Sequence, residues 1–305
     1  MKKWHLLFLT AALTLVLAAC GDEGAETDTG EEDSADSTGE EGSEATGDLG
    51  EEDLTLSYVE WDSEIASTHV IQKVLQDEGY NVEITPLDNA VMWQSIATDE
   101  ADAMVSAWLP LTHGNLYDEY EGDIVDLGPN LEGAAIGMVV PEDFPVDSIA
   151  DLGDEANQTV TGIEPGAGVV QAAERAVDED YENLSDWEVQ TSSSGAMATE
   201  LRSAVENGEE IVVTGWSPHW KFQEFDLKYL EDPEGSFGEA ETINTIVRQD
   251  LEADSPHAYS VLDNFYWETD HMEEVMLEIE QGASPQEAAE TWVEDNADLV
   301  SEWTE

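Results

Sequence analysis

From residue 54 onward, the apolar positions switch repeatedly between a period of two and a period near 3.6. "LTLSYV" (54–59) alternates and is rich in β-formers, which predicts a strand. "SEIASTHVIQKVLQDEG" carries apolar residues at helical spacing, predicting a helix from Ser63 that stops at Gly79. "NVEITPL" predicts a strand, Asp88 stands where it caps the helix "NAVMWQSIATDE", and "DAMVSAW" predicts another strand. The apolar run "AAIGMVVP" (134–141) is long enough to cross between two halves of a fold. A second series follows "VDSIADLGD": strand "QTVTGI", helix "AGVVQAAERAVDED", strand "WEVQTS", helix "GAMATELRSAVENG" and strand "EIVVTGW". "TINTIVR" (242–248) predicts a further strand, with helices near 255–264, 270–281 and 285–303. Such alternation predicts an α/β architecture with mainly parallel sheets.

A weak internal repeat refines this picture. "AVMWQSIATDEADAMVSAWLP" (90–110) and "GAMATELRSAVENGEEIVVTGWSP" (195–218) share one order: helix, acidic turn, strand, then a small residue followed by Trp-x-Pro. Proline cannot continue the ladder, so each strand ends beside its tryptophan. Two similar α/β halves imply two lobes around a cleft, and ligands of open α/β sheets sit beyond the carboxyl ends of strands. Trp108 and Trp216 stand at such ends, as does Trp61 after "LSYVE". Trp93, Trp187, Trp267 and Trp292 fall inside helix or strand patterns and read as core, the ordinary place for a large aromatic. Trp220, behind Pro218 and His219, reads as packing the corner that holds Trp216.

The N-terminus reads differently. "MKKWHLLFLTAALTLVLAAC" has two lysines and an apolar stretch too short to span a bilayer comfortably, the pattern of a secretory signal. It ends in Leu-Ala-Ala-Cys, which resembles a bacterial lipobox. Cys20 is the single cysteine, so no internal disulfide can form, and it stands where a lipid anchor would be attached. Residues 21–53 hold fifteen carboxylates and no basic or aromatic residue. Such a segment cannot offset its ordering entropy by burial and reads as a disordered tether.

Charge narrows the choice of partners. The chain carries 73 acidic and 8 basic residues, a formal net charge of −65, and only Lys73, Arg175, Arg202, Lys221, Lys228 and Arg248 are basic beyond the signal. Nucleic acid is excluded as a partner. The acidic residues lack the spacing of a calcium loop, and no metal-spaced His/Cys cluster occurs, so neither metal nor cofactor is expected. They read as a solvated surface suited to high salt.

Three tryptophans at strand ends suit one chemistry. Indole faces are negative, and a methylated ammonium has no N–H to donate, so an aromatic cage is its natural lining. "TGIEPGAGVVQAAERA" adds glycines between a strand and a helix, whose first N–H groups lack intrahelical partners and can meet an anion; a plain turn fits the same residues. "TSSSGAM" (191–197) is a similar start that simple N-capping explains. A hydrolase would have Ser192 to Ser194 and His113 or His219 to draw on, but no G-x-S-x-G elbow is present and catalysis is not expected.

"YVEWDSEIASTHV", "SAWLPLTH", "GIEPGAGV" and "TGWSPHWKF" resemble the binding segments of the glycine betaine-binding proteins of bacterial osmoprotective ABC importers. The resemblance runs from about Leu54 to beyond residue 290. It implies a two-lobed, periplasmic-binding-protein-like type II fold, with one lobe from 54–139 and 243–305 and the other from 140–242. It also implies that Trp61, Trp108 and Trp216 surround a trimethylammonium group. The backbone amides of Gly168 and Val169 would bind a carboxylate, with His113 near that end. The implied partners are glycine betaine or a related zwitterion such as proline betaine, a membrane permease, an ATPase subunit, and the membrane itself through Cys20. Choline or another quaternary amine is the alternative ligand, although it would leave the amides of the glycine loop without a carboxylate. Some family members carry the two halves in the opposite order along the chain; here the "YVEWDSE" half comes first.

Overall fold

The computed structural model describes residues 49–305; the signal peptide, Cys20 and the tether as far as residue 48 lie outside the described residues. Leu49 packs against the core, and the Glu51 N–H donates to the Asp254 carbonyl at 2.8 Å, so the fold engages the chain just ahead of its first strand.

That first strand, β1 (Asp53–Tyr58), leads into α1 (Asp62–Asp77), β2 (Asn81–Pro86), α2 (Asn89–Ala97), β3 (Ala103–Leu109), α3 (Gly114–Tyr120) and the long β4 (Ile124–Pro141). The second series is β5 (Thr159–Gly162), α4 (Gly168–Arg175), β6 (Glu188–Thr191), α5 (Ser194–Asn207), β7 (Val212–Ser217), α6 (Lys221–Glu224) and β8 (Leu227–Tyr229). The chain closes with β9 (Glu241–Arg248), α7 (Leu251–Asp254), α8 (Pro256–Asn264), α9 (Thr269–Glu280), α10 (Pro285–Asp295) and α11 (Ala297–Thr304).

The strands order as β2-β1-β3-β9-β4-β7-β5-β6, with β8 added to β4. Each half therefore carries the same parallel trio, with the first strand between the second and third: β2-β1-β3 and β6-β5-β7. The internal repeat is visible as this shared topology. It ends alike in both halves, since β3 and β7 each run through a tryptophan into a cis X-Pro bond, at Leu109–Pro110 and Ser217–Pro218.

The mainly parallel sheet expected from the alternation is corrected by the structure. The pairings β3–β9, β4–β9, β4–β7 and β4–β8 are antiparallel. The reason is β4, longer than its apolar run indicated. Its first part, with Gly128 and Gly133 at positive φ, bends along β9, and its last residues pair with β7 and β8. One strand thus joins both sheets and lays their edges side by side.

Helices cover the sheets through buried residues such as Val70, Ile71, Val74 and Leu75 of α1 and Met197 and Leu201 of α5. The last helices pack an aromatic cluster in which Trp267 meets Trp292 edge-on, with centroids 5.4 Å apart. Trp93, Trp187, Trp267 and Trp292 are all buried, as expected, although Trp187 falls just before β6 and Trp267 between α8 and α9, outside the regular elements in which the sequence placed them. The span 285–303 is two helices, because the chain breaks at Asn296, whose side chain returns to the Trp292 carbonyl.

Candidate functional site

The carboxyl ends of both parallel trios converge on one place. Trp61 follows β1, and Trp108 and Trp216 are the next-to-last residues of β3 and β7. These three rings, together with Ile136, Ile163 and Ala167, line one cavity. Gly168, Val169, Thr112 and His113 line it too. Every residue singled out beside it from sequence therefore meets at this cavity. A wider cleft lies along Pro141–Pro145, but Glu142, Asp143, Glu209, Glu210 and Asp226 line it with Phe144 as its one aromatic, the character of solvated surface.

Burial does not separate these tryptophans from core ones: Trp61, Trp108 and Trp216 are 6%, 3% and 4% exposed. What their indole N–H groups meet does: each donates to a side chain. The Trp61 Nε1 donates to Glu164, Trp108 Nε1 to Glu64 Oε1 at 2.7 Å, and Trp216 Nε1 to Ser63 Oγ at 3.0 Å. Trp93, Trp267 and Trp292 have no partner for theirs, and Trp187 and Trp303 donate to backbone carbonyls, of Gly153 at 3.0 Å and of Tyr266 at 3.1 Å. Each of these rings is thus held by its edge, so that a π face can line the cavity, with Lys221 Nζ also over the Trp216 ring, 4.2 Å from its centroid.

The segment Trp61-Asp62-Ser63-Glu64 organises the site. Trp61 is extended and precedes α1, so the next three residues form the helix's first turn. Ser63 Oγ accepts from Trp216 and donates to Glu64 Oε2 at 2.6 Å. Asp62 faces the other way: Trp220 Nε1 donates to its Oδ1 at 2.9 Å and Ser194 Oγ to its Oδ2 at 3.0 Å. His219 Nε2 lies 3.5 Å from the same carboxylate. Burial pushes the Asp62 carboxyl up, but these hydrogen bonds outweigh it and hold the group well below the usual carboxylate range. Trp220 thereby packs the corner under Trp216, as the sequence indicated, and His219 sits between them, its ring centroid 4.6 Å from that of Trp216.

At the other end the groups are donors. Ala167 precedes α4 in extended conformation without a capping side chain, so the N–H groups of Gly168 and Val169 open the helix without intrahelical partners. Glycine is required at 168: a Cβ there would stand 2.5 Å from both the side chain and the carbonyl oxygen of Thr112. The loop it approaches is fixed, because Glu241 accepts from the Thr112 N–H at 2.9 Å and from the N–H of Leu111. His113 is fully buried, and burial depresses its pKa to about 3, so the ring is neutral. Its Nδ1 accepts from the Trp108 backbone N–H at 3.1 Å, which places the ring proton on Nε2. That Nε2 has no partner among the described residues. A negative-faced cage at one end and unpartnered N–H donors at the other suit a ligand with an ammonium and a carboxylate.

The "TSSSGAM" start is the capping arrangement favoured from sequence, with Ser193 Oγ accepting from the Ala196 N–H at 3.3 Å. Sequence reasoning missed Ser63, Glu64, Glu241 and Lys221 as parts of the site. The available signal was an acidic residue three places after Trp61, inside a helix turn that the apolar pattern buries. Among the described residues, no group of three or more His, Cys, Asp or Glu side chains is placed to hold a metal ion.

A family model described as the substrate binding domain of an ABC-type glycine betaine transport system matches residues 52–295. The chain is 48% identical over 161 residues to the glycine betaine/carnitine transport binding protein GbuC of Listeria monocytogenes; this match spans 53% of the chain and 54% of that relative, about half its length. Among solved structures, lactococcal OpuAC in a closed form complexed with glycine betaine is similar at a TM-score of 0.82 and 49% identity, covering 84% of this chain and 100% of that one. The glycine betaine/L-proline-binding protein ProX of Borrelia burgdorferi follows at a TM-score of 0.80 and 35% identity, covering 83% and 97%. A choline-binding protein of an ABC transporter complexed with choline is similar at a TM-score of 0.77 and 25% identity, covering 82% and 91%.

Proposed function

The chain belongs to the family of substrate-binding domains of ABC-type glycine betaine transport systems, and from that premise we propose that it is an extracytoplasmic receptor that captures glycine betaine for import. The observation that carries the reading is the two-ended cavity: three edge-held indole rings facing three unpartnered N–H groups. The trimethylammonium lies among Trp61, Trp108 and Trp216, each contact contributing roughly 0.5 to 2 kcal/mol once desolvated. The carboxylate accepts from Gly168 N–H, Val169 N–H and His113 Nε2. Donation to a full negative charge is worth about 1.5 to 3 kcal/mol per hydrogen bond.

Two lobes, 54–139 with 243–305 and 140–242, close over the ligand, with Trp61 and Trp108 from one and Trp216 from the other. Closure joins Asp62 to Ser194 and Trp220, Ser63 to Trp216, and Trp61 to Glu164. The ligand stabilises that state because only the closed arrangement brings all three rings to it. Lipid attachment at Cys20 and the acidic tether keep the receptor at the outer face of the membrane, where it delivers its ligand to a permease driven by an ATPase subunit. Among the described residues no helix is long and apolar enough to cross a membrane.

Choline fills the cage but leaves the α4 donors and His113 without an acceptor, at about 1 to 3 kcal/mol for each unpaired group. Calorimetric titration of the purified full-length protein with glycine betaine and with choline tests the reading. Saturable binding of glycine betaine, with choline at least tenfold weaker, is the expected result. Tighter binding of choline would remove the carboxylate from the proposal, and binding of neither by folded protein would remove the cage.

A further inference from the structure

Glu64 is a buried carboxylate against a cage meant to hold a positive charge. It is 1% exposed, lines the cavity and occupies the third position of α1, where a glutamate ordinarily reaches back to cap its helix. Here it makes no cap. One oxygen accepts from Trp108 Nε1 at 2.7 Å and the other from Ser63 Oγ at 2.6 Å, and Ser63 in turn accepts from Trp216 Nε1. Both oxygens are acceptors, so a proton on Glu64 would have to displace one of these bonds. Two cage rings are thereby tied to a single carboxylate. An indole N–H that donates to an anion is polarised toward its ring, which deepens the negative π face.

We propose that Glu64 is the specificity-determining counter-charge of the cage: its anionic form, acting through Trp108 and through Ser63 to Trp216, makes the site select a cationic headgroup over a neutral one of the same shape. This rests on the glycine betaine reading above and adds the group that makes the ammonium's charge, and not only its methyl surface, count.

The charged groups around Glu64 fit that role. Asp62, on the same helix turn, is ionised and committed to Ser194 and Trp220. Glu164 is held by Trp61 at the rim, and Glu280 of α9 is paired with Arg202. His113 and His219 are neutral, since burial depresses them to about 3 and about 4. Lys221 is the one nearby cation without a carboxylate partner; its Nζ sits 4.2 Å from the Trp216 ring centroid and makes no hydrogen bond. Burial pushes the Glu64 carboxyl up to about 7, aided by the charge of Asp62 and opposed by the bonds from Ser63 and Trp108. The empty site therefore holds a proton on Glu64 part of the time near neutral pH. A cation entering the cage favours the ionised form, so glycine betaine binding releases that proton, and affinity falls as pH drops below about 7. Burial also lowers Lys221 to about 7, and its deprotonation acts in the same direction, so its share must be removed.

The test compares glycine betaine with 3,3-dimethylbutanoate, in which a carbon replaces the ammonium nitrogen, by calorimetry on the full-length protein. Glu64→Gln should weaken glycine betaine about tenfold or more at pH 8 while changing the isostere less than about twofold. Equal weakening of both ligands, or of neither, would overturn the inference. Proton counting decides independently if Glu64→Gln folds poorly or the isostere binds too weakly to titrate. In Lys221→Met, titrations near pH 6.5 in buffers of differing ionisation enthalpy should still show proton release with glycine betaine. No release there would also overturn it. Failure of the wild-type protein to bind glycine betaine at all would instead sink the functional reading, and this inference with it.

Discussion

Gly168→Ala is the substitution whose consequence the structure fixes most tightly. A Cβ at 168 would lie 2.5 Å from the Thr112 carbonyl oxygen and 2.5 Å from its Cγ2, where ordinary contact begins at 3.4 Å, so about 0.9 Å must be found somewhere. A rotamer change of Thr112 relieves only the methyl, because the oxygen is backbone. The loop resists moving, since Glu241 is 3% exposed and holds the N–H groups of Leu111 and Thr112. Adding a methyl to a packed contact costs about 1 to 3 kcal/mol. The strain falls between α4 and the loop after β3, so separating those two relieves it without disturbing either trio of strands. The expected outcome is a loss of glycine betaine affinity of about 5- to 150-fold, the same energy read as a dissociation constant. Thermal unfolding of the ligand-free protein should change little. Titration calorimetry beside a ligand-free melt reads both quantities. Wild-type affinity in Gly168→Ala would refute the reasoning, and a large fall in the ligand-free Tm with affinity kept would place the strain inside the fold instead.

Trp216→Ala should abolish measurable glycine betaine binding while the far-ultraviolet circular dichroism stays native, whereas Trp93→Ala, deep in the core, should cost about 3 to 5 kcal/mol of stability and be read in the melt. Asp62, depressed in the fold below its unfolded value, contributes stability that is present above about pH 4 and lost as pH falls through its folded pKa. Asp62→Asn should therefore flatten the acid limb of the stability curve below pH 4, and an unchanged limb would show that other carboxylates set it. Glu64 is displaced oppositely, so its contribution is full below its unfolded pKa and lost as pH rises through about 7. Glu64→Gln should accordingly raise the ligand-free Tm at pH 8, and a lowered Tm would mean that the ionised group is a net stabiliser. Finally, with a formal net charge of −65 the folded state repels itself, so Tm should rise between low and molar sodium chloride, and a flat salt profile would argue against an adapted surface.

The fold was legible where one periodicity ran uninterrupted. The helix predicted from Ser63 to Gly79 is α1, and the strands around Trp108 and Trp216 end at their prolines as proline chemistry requires. The first part of β4 was not legible, because Gly128-Pro129 and Gly133 interrupt its alternation; pairing with β9 overrides that local propensity, and the glycines bend the strand instead of ending it. The short β8 carries only three residues, too few for a period to declare itself. The three tryptophans could be picked out because each stands at a strand end, and Trp108 and Trp216 do so in the same repeated Trp-x-Pro pattern. Burial alone would never have separated them from Trp93.

The titratable groups of the site were illegible for a different reason. In a chain with 73 acidic residues, one more glutamate after "WDS" carries no signal, and only the geometry distinguishes Glu64 from its solvated neighbours. Lysine is the converse case. Of the six basic residues beyond the signal segment, Lys73, Arg175, Arg202, Lys228 and Arg248 each pair with a carboxylate, and Lys221 does not. A surface so rich in anions could pair any exposed lysine. Keeping Lys221 buried over Trp216, without an ion pair, is therefore a property of the site and not of the composition. The cage thus has an anion at the edge of one ring and a titratable amine against another. On the proposed reading, these two groups tune its affinity for a cation from inside the protein, shielded from the external charge that changes with salt.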